Sequence, residues 1–96
     1  MMSVYVDDMK APYRGMLLCH MCADTTEELL EMADRIKVAR KWIQNAGASS
    51  EHFDICLAKR ELAVQYGAEE VSRQELVRRN QAKRMRSEPT LFGGIG

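Results

Sequence analysis

The chain contains two histidines, and a carboxylate follows each at short spacing: His20-x3-Asp24 and His52-x-Asp54. Asp7 and Asp8 close a short stretch near the N-terminus, and Lys59 stands five residues beyond Asp54. Together these side chains supply what metal-assisted hydrolysis of a phosphoester requires. Two or three carboxylates with imidazole hold Mg²⁺ or Mn²⁺, with water completing the shell. A divalent ion acidifies its water and stabilises charge developing on phosphoryl oxygens. Imidazole moves protons near neutral pH, and an ammonium balances phosphate charge. The expected assignment places Asp7, Asp24 and Asp54 on the metal and Lys59 on phosphate. His20 and His52 then act as ligands or as general acid and base. Each residue also has a purely structural explanation. Asp24 and Asp54 suit helix caps, His20 lies in an apolar run, and Asp7-Asp8 precede a loop. Their joint occurrence is what points to a site.

Other chemistries fit less well. Cys19-x2-Cys22 with His52-x3-Cys56 is formally a Cys₃His zinc set. Cys19, however, falls inside an apolar run rather than on a turn, so buried reduced thiols are the simpler account and zinc is not expected. An odd count of three cysteines argues for a reducing, cytoplasmic setting. The pattern Gly-x-Ser-x-Gly is absent, and no glycine-rich loop is placed to cradle phosphate.

The elements that must position these groups follow from periodicity and caps. Ser3 to Asp7 alternates as a strand, Asp8 to Gly15 reads as a connecting loop, and Met16 to His20 as a strand buried on both faces. Asp24-Thr25-Thr26-Glu27 forms a capping box. The helix it opens carries Leu29, Met32, Ala33 and Ile36 on one stripe. That helix either breaks near Lys37 or runs on through Trp42 and Ile43. Glu51 to Asp54 suits a strand end or a turn. Asp54 caps a second helix bearing Ile55, Leu57, Ala58, Leu62 and Ala63, with Gly67 closing it. Glu70-Val71 is at most a short strand. Ser72-Arg73-Gln74-Glu75 caps a third helix ending near Arg86. The pattern predicts one small α/β domain over 1–86, with three to four strands and about three helices, followed by a flexible tail at 87–96.

Composition narrows the class. At 96 residues the chain has room for one domain, and its 46% hydrophobic and 29% charged content is ordinary for a folded globule. No apolar run approaches the roughly 20 residues of a membrane helix, and no secretory leader pattern is visible. The formal charge of zero hides an asymmetry. Residues 1–72 hold 8 basic and 12 acidic side chains, and residues 73–96 hold 6 and 2. The basic third helix, with Arg78, Arg79, Lys83 and Arg84, is a solvated face or a surface for nucleic acid or an acidic protein partner. A core this small is also compatible with a homodimer.

Three segments carry a resemblance: Ser3-Val-Tyr-Val-Asp7-Asp8-Met9, Cys19-His20-Met21 with Ala23-Asp24, and His52-Phe-Asp54-Ile. With Val71 to Arg79 they resemble a family of short bacterial and phage proteins known only as a domain of unknown function, family number 4031. The resemblance spans about residues 3–79. It implies that Asp7, His20 with Asp24, His52 with Asp54, and a basic residue at Lys59 belong together. It implies less for Asp8, where other members have proline, and leaves the cysteines out. A glycine common near Lys37 is missing here, which implies a longer first helix. No activity comes with the family. Two functions stay open: a metal-dependent hydrolase of a nucleotide or nucleic-acid phosphoester, and a non-catalytic binding protein. The latter would be a nucleotide-binding module or a phage factor interfering with its host, using the His/Asp pocket and the basic helix.

Overall fold

A computed structural model describes residues 3–87. The proposed tail at 87–96 lies outside the described residues except for Ser87, the last residue of the third helix. Strand β1 (Val4–Val6) leads into β2 (Ala11–Tyr13) and the long β3 (Met16–Ala23). Helix α1 (Thr26–Arg35) and a single 3₁₀ turn precede β4 (Phe53–Cys56) and α2 (Leu57–Gln65). The short β5 (Glu69–Glu70) and α3 (Arg73–Ser87) complete the order. The α/β class is as expected, with three helices and a mixed sheet of five strands rather than three or four.

β3 is the centre of that sheet. Its Leu18 pairs with both Ala11 and Cys56, and its Met21 with both Val6 and Phe53. β1 and β2 therefore share one side of β3, and β4 takes the other. These pairings are antiparallel, and β5 joins β1 in parallel at the edge.

Strand alternation then sorts the side chains by face. Val4, Val6, Met21, Ala23, Phe53 and Ile55 point one way and pack on Leu29, Met32, Ala33 and Ile36 of α1 and Ala63 of α2. The α1 stripe expected from spacing is fully buried. Each such side chain contributes about 1.5–3 kcal/mol on leaving water. The opposite face carries Tyr5 and Cys22, covered by Leu76 of α3. Asp7, His20, His52 and Asp54 fall on this second face by the same alternation.

Several local expectations are corrected. β2 stands where a loop was expected. A Pro12 strand is tolerated because β2 pairs only with β3, at the sheet edge. It closes through Arg14-Gly15, with φ of 48° and 79°, the two positive-φ residues of a tight hairpin turn. Asp54 does not cap α2. It lies within β4, and α2 begins after Cys56 with no side-chain cap. Ile55 is a core strand residue and Leu57 is exposed, so the helical stripe expected from 55 onward was the strand alternation of Phe53 and Ile55. The cap of α1 is Thr25, not Asp24, because the Asp24 amide still bonds Ser3 O and extends the β1–β3 ladder. The Thr25 hydroxyl accepts from the Glu28 amide at 3.1 Å and donates to its carboxylate at 2.9 Å. Thr25→Ala should thus cost about 1 kcal/mol in urea unfolding. Asp24→Ala should cost nothing through the cap.

α1 stops at Lys37 although the residue is not glycine. The Lys37 amide bonds Asp34 O and the Val38 amide bonds Ala33 O at 2.8 Å, the paired bonds of a Schellman ending. This forces Lys37 to φ 64°, a left-handed conformation that disfavours a Cβ. Lys37→Gly is expected to stabilise the protein by about 1 kcal/mol. The thermal midpoint should rise by roughly 4–8 °C. An unchanged or lower midpoint would contradict this account of the ending. Gly67 ends α2 in the same way, at φ 108°, as its position in the sequence suggested.

Candidate metal centre

The site is a row across three strands. The register Val6↔Met21 continues to Asp7 opposite His20, whose carbonyl accepts the Asp7 amide at 3.1 Å. On the other side His20 pairs directly with Asp54. His52 sits two residues before Asp54 on the same face, diagonal to His20, and is tied to Gln44 by an isolated bridge. The imidazole rings meet edge to face with centroids 5.0 Å apart.

Each polar group is held from behind. Asp7 is fully buried. Its Oδ1 accepts the amides of His20 and Met9 at 2.8 and 3.2 Å, and its Oδ2 meets His20 Nδ1 at 2.8 Å. Burial pushes the Asp7 carboxyl up, but the His20 ring and the two amides outweigh it and hold the group below the usual range. The bond to Asp7 in turn raises the His20 pKa against the opposing effect of burial. His52 Nδ1 lies 2.9 Å from the Ser50 carbonyl, which can only accept. Gln44 Nε2 donates to Asp54 Oδ2 at 2.5 Å.

These bonds fix what faces inward. With Nδ1–H of each ring donated to an oxygen, the Nε2 of each neutral ring is a lone pair. Both lone pairs face Asp54 Oδ1, at 3.6 Å from His20 and 3.5 Å from His52. The three atoms lie within 4.8 Å of one another, and no other group of three candidate ligands occurs among the described residues. With both rings neutral the three atoms are all acceptors, an arrangement that attracts a cation; when His20 is protonated, as its bond to Asp7 favours, its Nε2–H faces Asp54 instead. Ligands about 2.0–2.2 Å from a metal stand roughly 3.0–3.6 Å from each other, close to the two contacts observed. Asp7 behind His20 is then the carboxylate that orients a ligating imidazole.

Not every expected residue joins this group. Asp24 lies just past the end of β3, four residues beyond His20, roughly 13 Å at about 3.3 Å per residue. It meets the Tyr5 hydroxyl at 3.5 Å and lines a separate cleft with Thr26, Glu51 and Lys83. Lys59 lies on α2 without an ion pair among the described residues. Its neighbour Arg60 instead donates to Asp7 O at 2.8 Å and bonds Glu70. On α3, Arg79 is clamped by Glu69 and Glu75, and Lys83 is buried with its ammonium on Ala23 O. Arg78 is exposed beside Glu75, and Arg84 is exposed. The cysteines do not assemble. Cys19 and Cys22 point to opposite faces of β3, and Cys22 packs on Tyr5 and Leu76. No helix among the described residues is long and apolar enough to cross a membrane.

Sequence reasoning missed Arg73, Gln44 and Ser50. Arg73 Nη1 lies 3.3 Å from His20 Nδ1 and 3.9 Å from Asp7 Oδ2. Its place directly after the Ser72 cap, at the start of a helix that covers the sheet, was the available signal. Gln44 and Ser50 belong to a loop folded by the Gln44–His52 bridge, the turn bonds of Ala48 and Glu51 and the Gly47 amide on the Glu51 carboxylate, none of which spacing announces.

Comparison with curated proteins and with solved structures finds no match. Residues 4–83, which include every member of the row, match the family described as "Protein of unknown function (DUF4031)", and the chain belongs to that family.

Proposed function

We propose that the protein is a metal-dependent hydrolase of phosphoesters. The observation that carries this reading is the convergence of His20 Nε2, His52 Nε2 and Asp54 Oδ1, each fixed from behind. Two imidazoles and one carboxylate leave positions open for water and substrate, which distinguishes a reactive centre from a closed structural one. The imidazoles favour Mn²⁺, Fe²⁺ or Zn²⁺ over Mg²⁺. The argument against zinc from the cysteines does not extend to this set.

A divalent ion held by His20, His52 and Asp54 would supply an acidified water and a positive charge for the phosphoester. The protein's own share is positional. Asp7 keeps the His20 tautomer, the Ser50 carbonyl keeps that of His52, and Gln44 holds Asp54 Oδ2 so that Oδ1 faces the rings. Arg73, about half exposed, offers its charge to the phosphate from the rim. Hydrolysis would add one water across the ester: its oxygen bonds to phosphorus as the ester P–O bond breaks, one of its protons passes to solvent, and the departing alkoxide takes a proton from solvent in return.

The test is release of p-nitrophenolate from bis(p-nitrophenyl) phosphate with Mn²⁺, Zn²⁺ or Mg²⁺. Turnover should require metal, stop with EDTA and be lost in His52→Ala. Metal-loaded protein that hydrolyses none of it, nor any nucleotide, would contradict the hydrolase and leave a binding protein.

A further inference from the structure

We propose that the substrate of this centre carries a nucleobase, seated in the apolar cleft beside His20 and Asp54 with its phosphate turned toward Arg73. The proposal rests on the metal-centre reading and adds the substrate class. The row of site residues forms a wall between two clefts that differ in character. On one side Met9, Pro12, Tyr13 and Leu18 line a cleft of about 270 Å³ whose floor is His20 and Asp54. On the other, a cleft of about 150 Å³ shares His20 and His52 and is of mixed lining, Leu76 and Val77 beside Asn45, Ser50 and Arg73. A ligand reaching the three metal-facing atoms thus meets an apolar surface on one flank and a cationic, amide-bearing one on the other.

The apolar cleft lies just below the roughly 300–1,000 Å³ of pockets for drug-sized ligands, enough for one heterocycle and not for a whole nucleotide. Its walls are flat or adaptable: the Tyr13 ring, on the same face of β2 as Ala11, and the Met9 thioether. A base offers such walls two faces, and its polar edge meets the Asp54 and His20 floor. An alkyl group would leave those polar atoms unmatched. The rim is cationic. Arg14 stacks on the Tyr13 ring with its guanidinium carbon 5.4 Å from the centroid, and Lys10 is exposed in the connection between β1 and β2. Arg73 approaches the Met9 sulfur at 3.3 Å and so stands where the two clefts meet. The acidic groups nearby are Asp8, which is exposed, and Asp54, which the metal would neutralise.

Titration calorimetry of the Mn²⁺-loaded protein tests this with adenosine 5′-monophosphate and ribose 5-phosphate, which differ only in the base. The nucleotide should bind at least about 10-fold more tightly, the effect of stacking one base on an aromatic ring. Tyr13→Ala should abolish that preference while leaving Mn²⁺ affinity unchanged. Tyr13 is exposed, so its loss leaves the core intact, and Met9→Ala serves as a second variant. Arg73→Ala should weaken both probes alike. A short single-stranded oligonucleotide separates the sources. Tighter binding than the mononucleotide assigns the base to a strand, and weaker or equal binding assigns it to a free nucleotide. Protein that takes up Mn²⁺ but binds both sugar phosphates equally, or keeps its preference in Tyr13→Ala, overturns the base subsite alone. Wild-type protein that takes up no Mn²⁺ overturns the metal centre and this inference with it.

Discussion

Saturating Mn²⁺ or Zn²⁺ is expected to raise the thermal midpoint of the wild-type protein by about 10–20 °C and to move His52→Ala far less. A ligand that binds only the native state at 100 times its dissociation constant stabilises by about 2.7 kcal/mol. In a domain of this size each kcal/mol shifts the midpoint by roughly 4–8 °C. The three proposed ligand atoms come from β3, β4 and the residue preceding β4, so the unfolded chain has no equivalent site. His52→Ala removes one of two nitrogen ligands from a half-buried position outside the apolar core, so its own fold should persist. The check is a melting curve for each protein with metal and with EDTA. Equal shifts in both proteins would place the metal elsewhere, on free cysteines or surface carboxylates.

Asp7 should be the most sensitive polar residue in the chain. Asp7→Ala strips partners from two backbone amides and from His20 Nδ1 at a position without solvent. Breaking a buried ionic pair of this kind costs on the order of 3–5 kcal/mol, a large share of the 5–15 kcal/mol that holds a domain. Urea unfolding measures that loss. Asp7→Asn separates stability from function. The amide oxygen still accepts from the His20 and Met9 amides, but the NH₂ now meets His20 Nδ1. The imidazole must then carry its proton on Nε2 and turn an N–H toward the metal position. Metal affinity should fall at least 10–100-fold, the range for lost second partners of ligating histidines, with the fold retained. Wild-type metal affinity in Asp7→Asn would contradict the tautomer argument.

The sequence carried the proximity of Asp7, His20, His52 and Asp54 further than it carried their geometry. With only two histidines, each near a carboxylate, the grouping was legible, as was the core stripe of Leu29, Met32, Ala33 and Ile36. The strand β4 was not, because Asp54 is a good capping residue by type and only its pairing with β3 decides otherwise. The alternation His52 out, Phe53 in, Asp54 out, Ile55 in was visible over too few residues to outweigh a helix start. Asp24, like Asp54, follows a histidine at short spacing, but it lies beyond the end of β3, where the row has already passed. Lys59 and Arg60 are neighbours, and only the packing of α2 against β1 brings Arg60 to Asp7. The basic character of α3 was legible from charge alone. That Arg79 and Lys83 turn inward, on Glu69 and on the Ala23 carbonyl, follows from which side of the helix covers Tyr5 and Cys22.

The most direct measurement is anomalous diffraction from crystals grown with Mn²⁺ or Zn²⁺. A metal peak is predicted about 2.0–2.3 Å from His20 Nε2, His52 Nε2 and Asp54 Oδ1, with Asp7 still bonded to His20 Nδ1 and water at the open positions. A metal bound elsewhere with these three atoms unliganded, or no metal at this row at saturating concentration, would contradict the account.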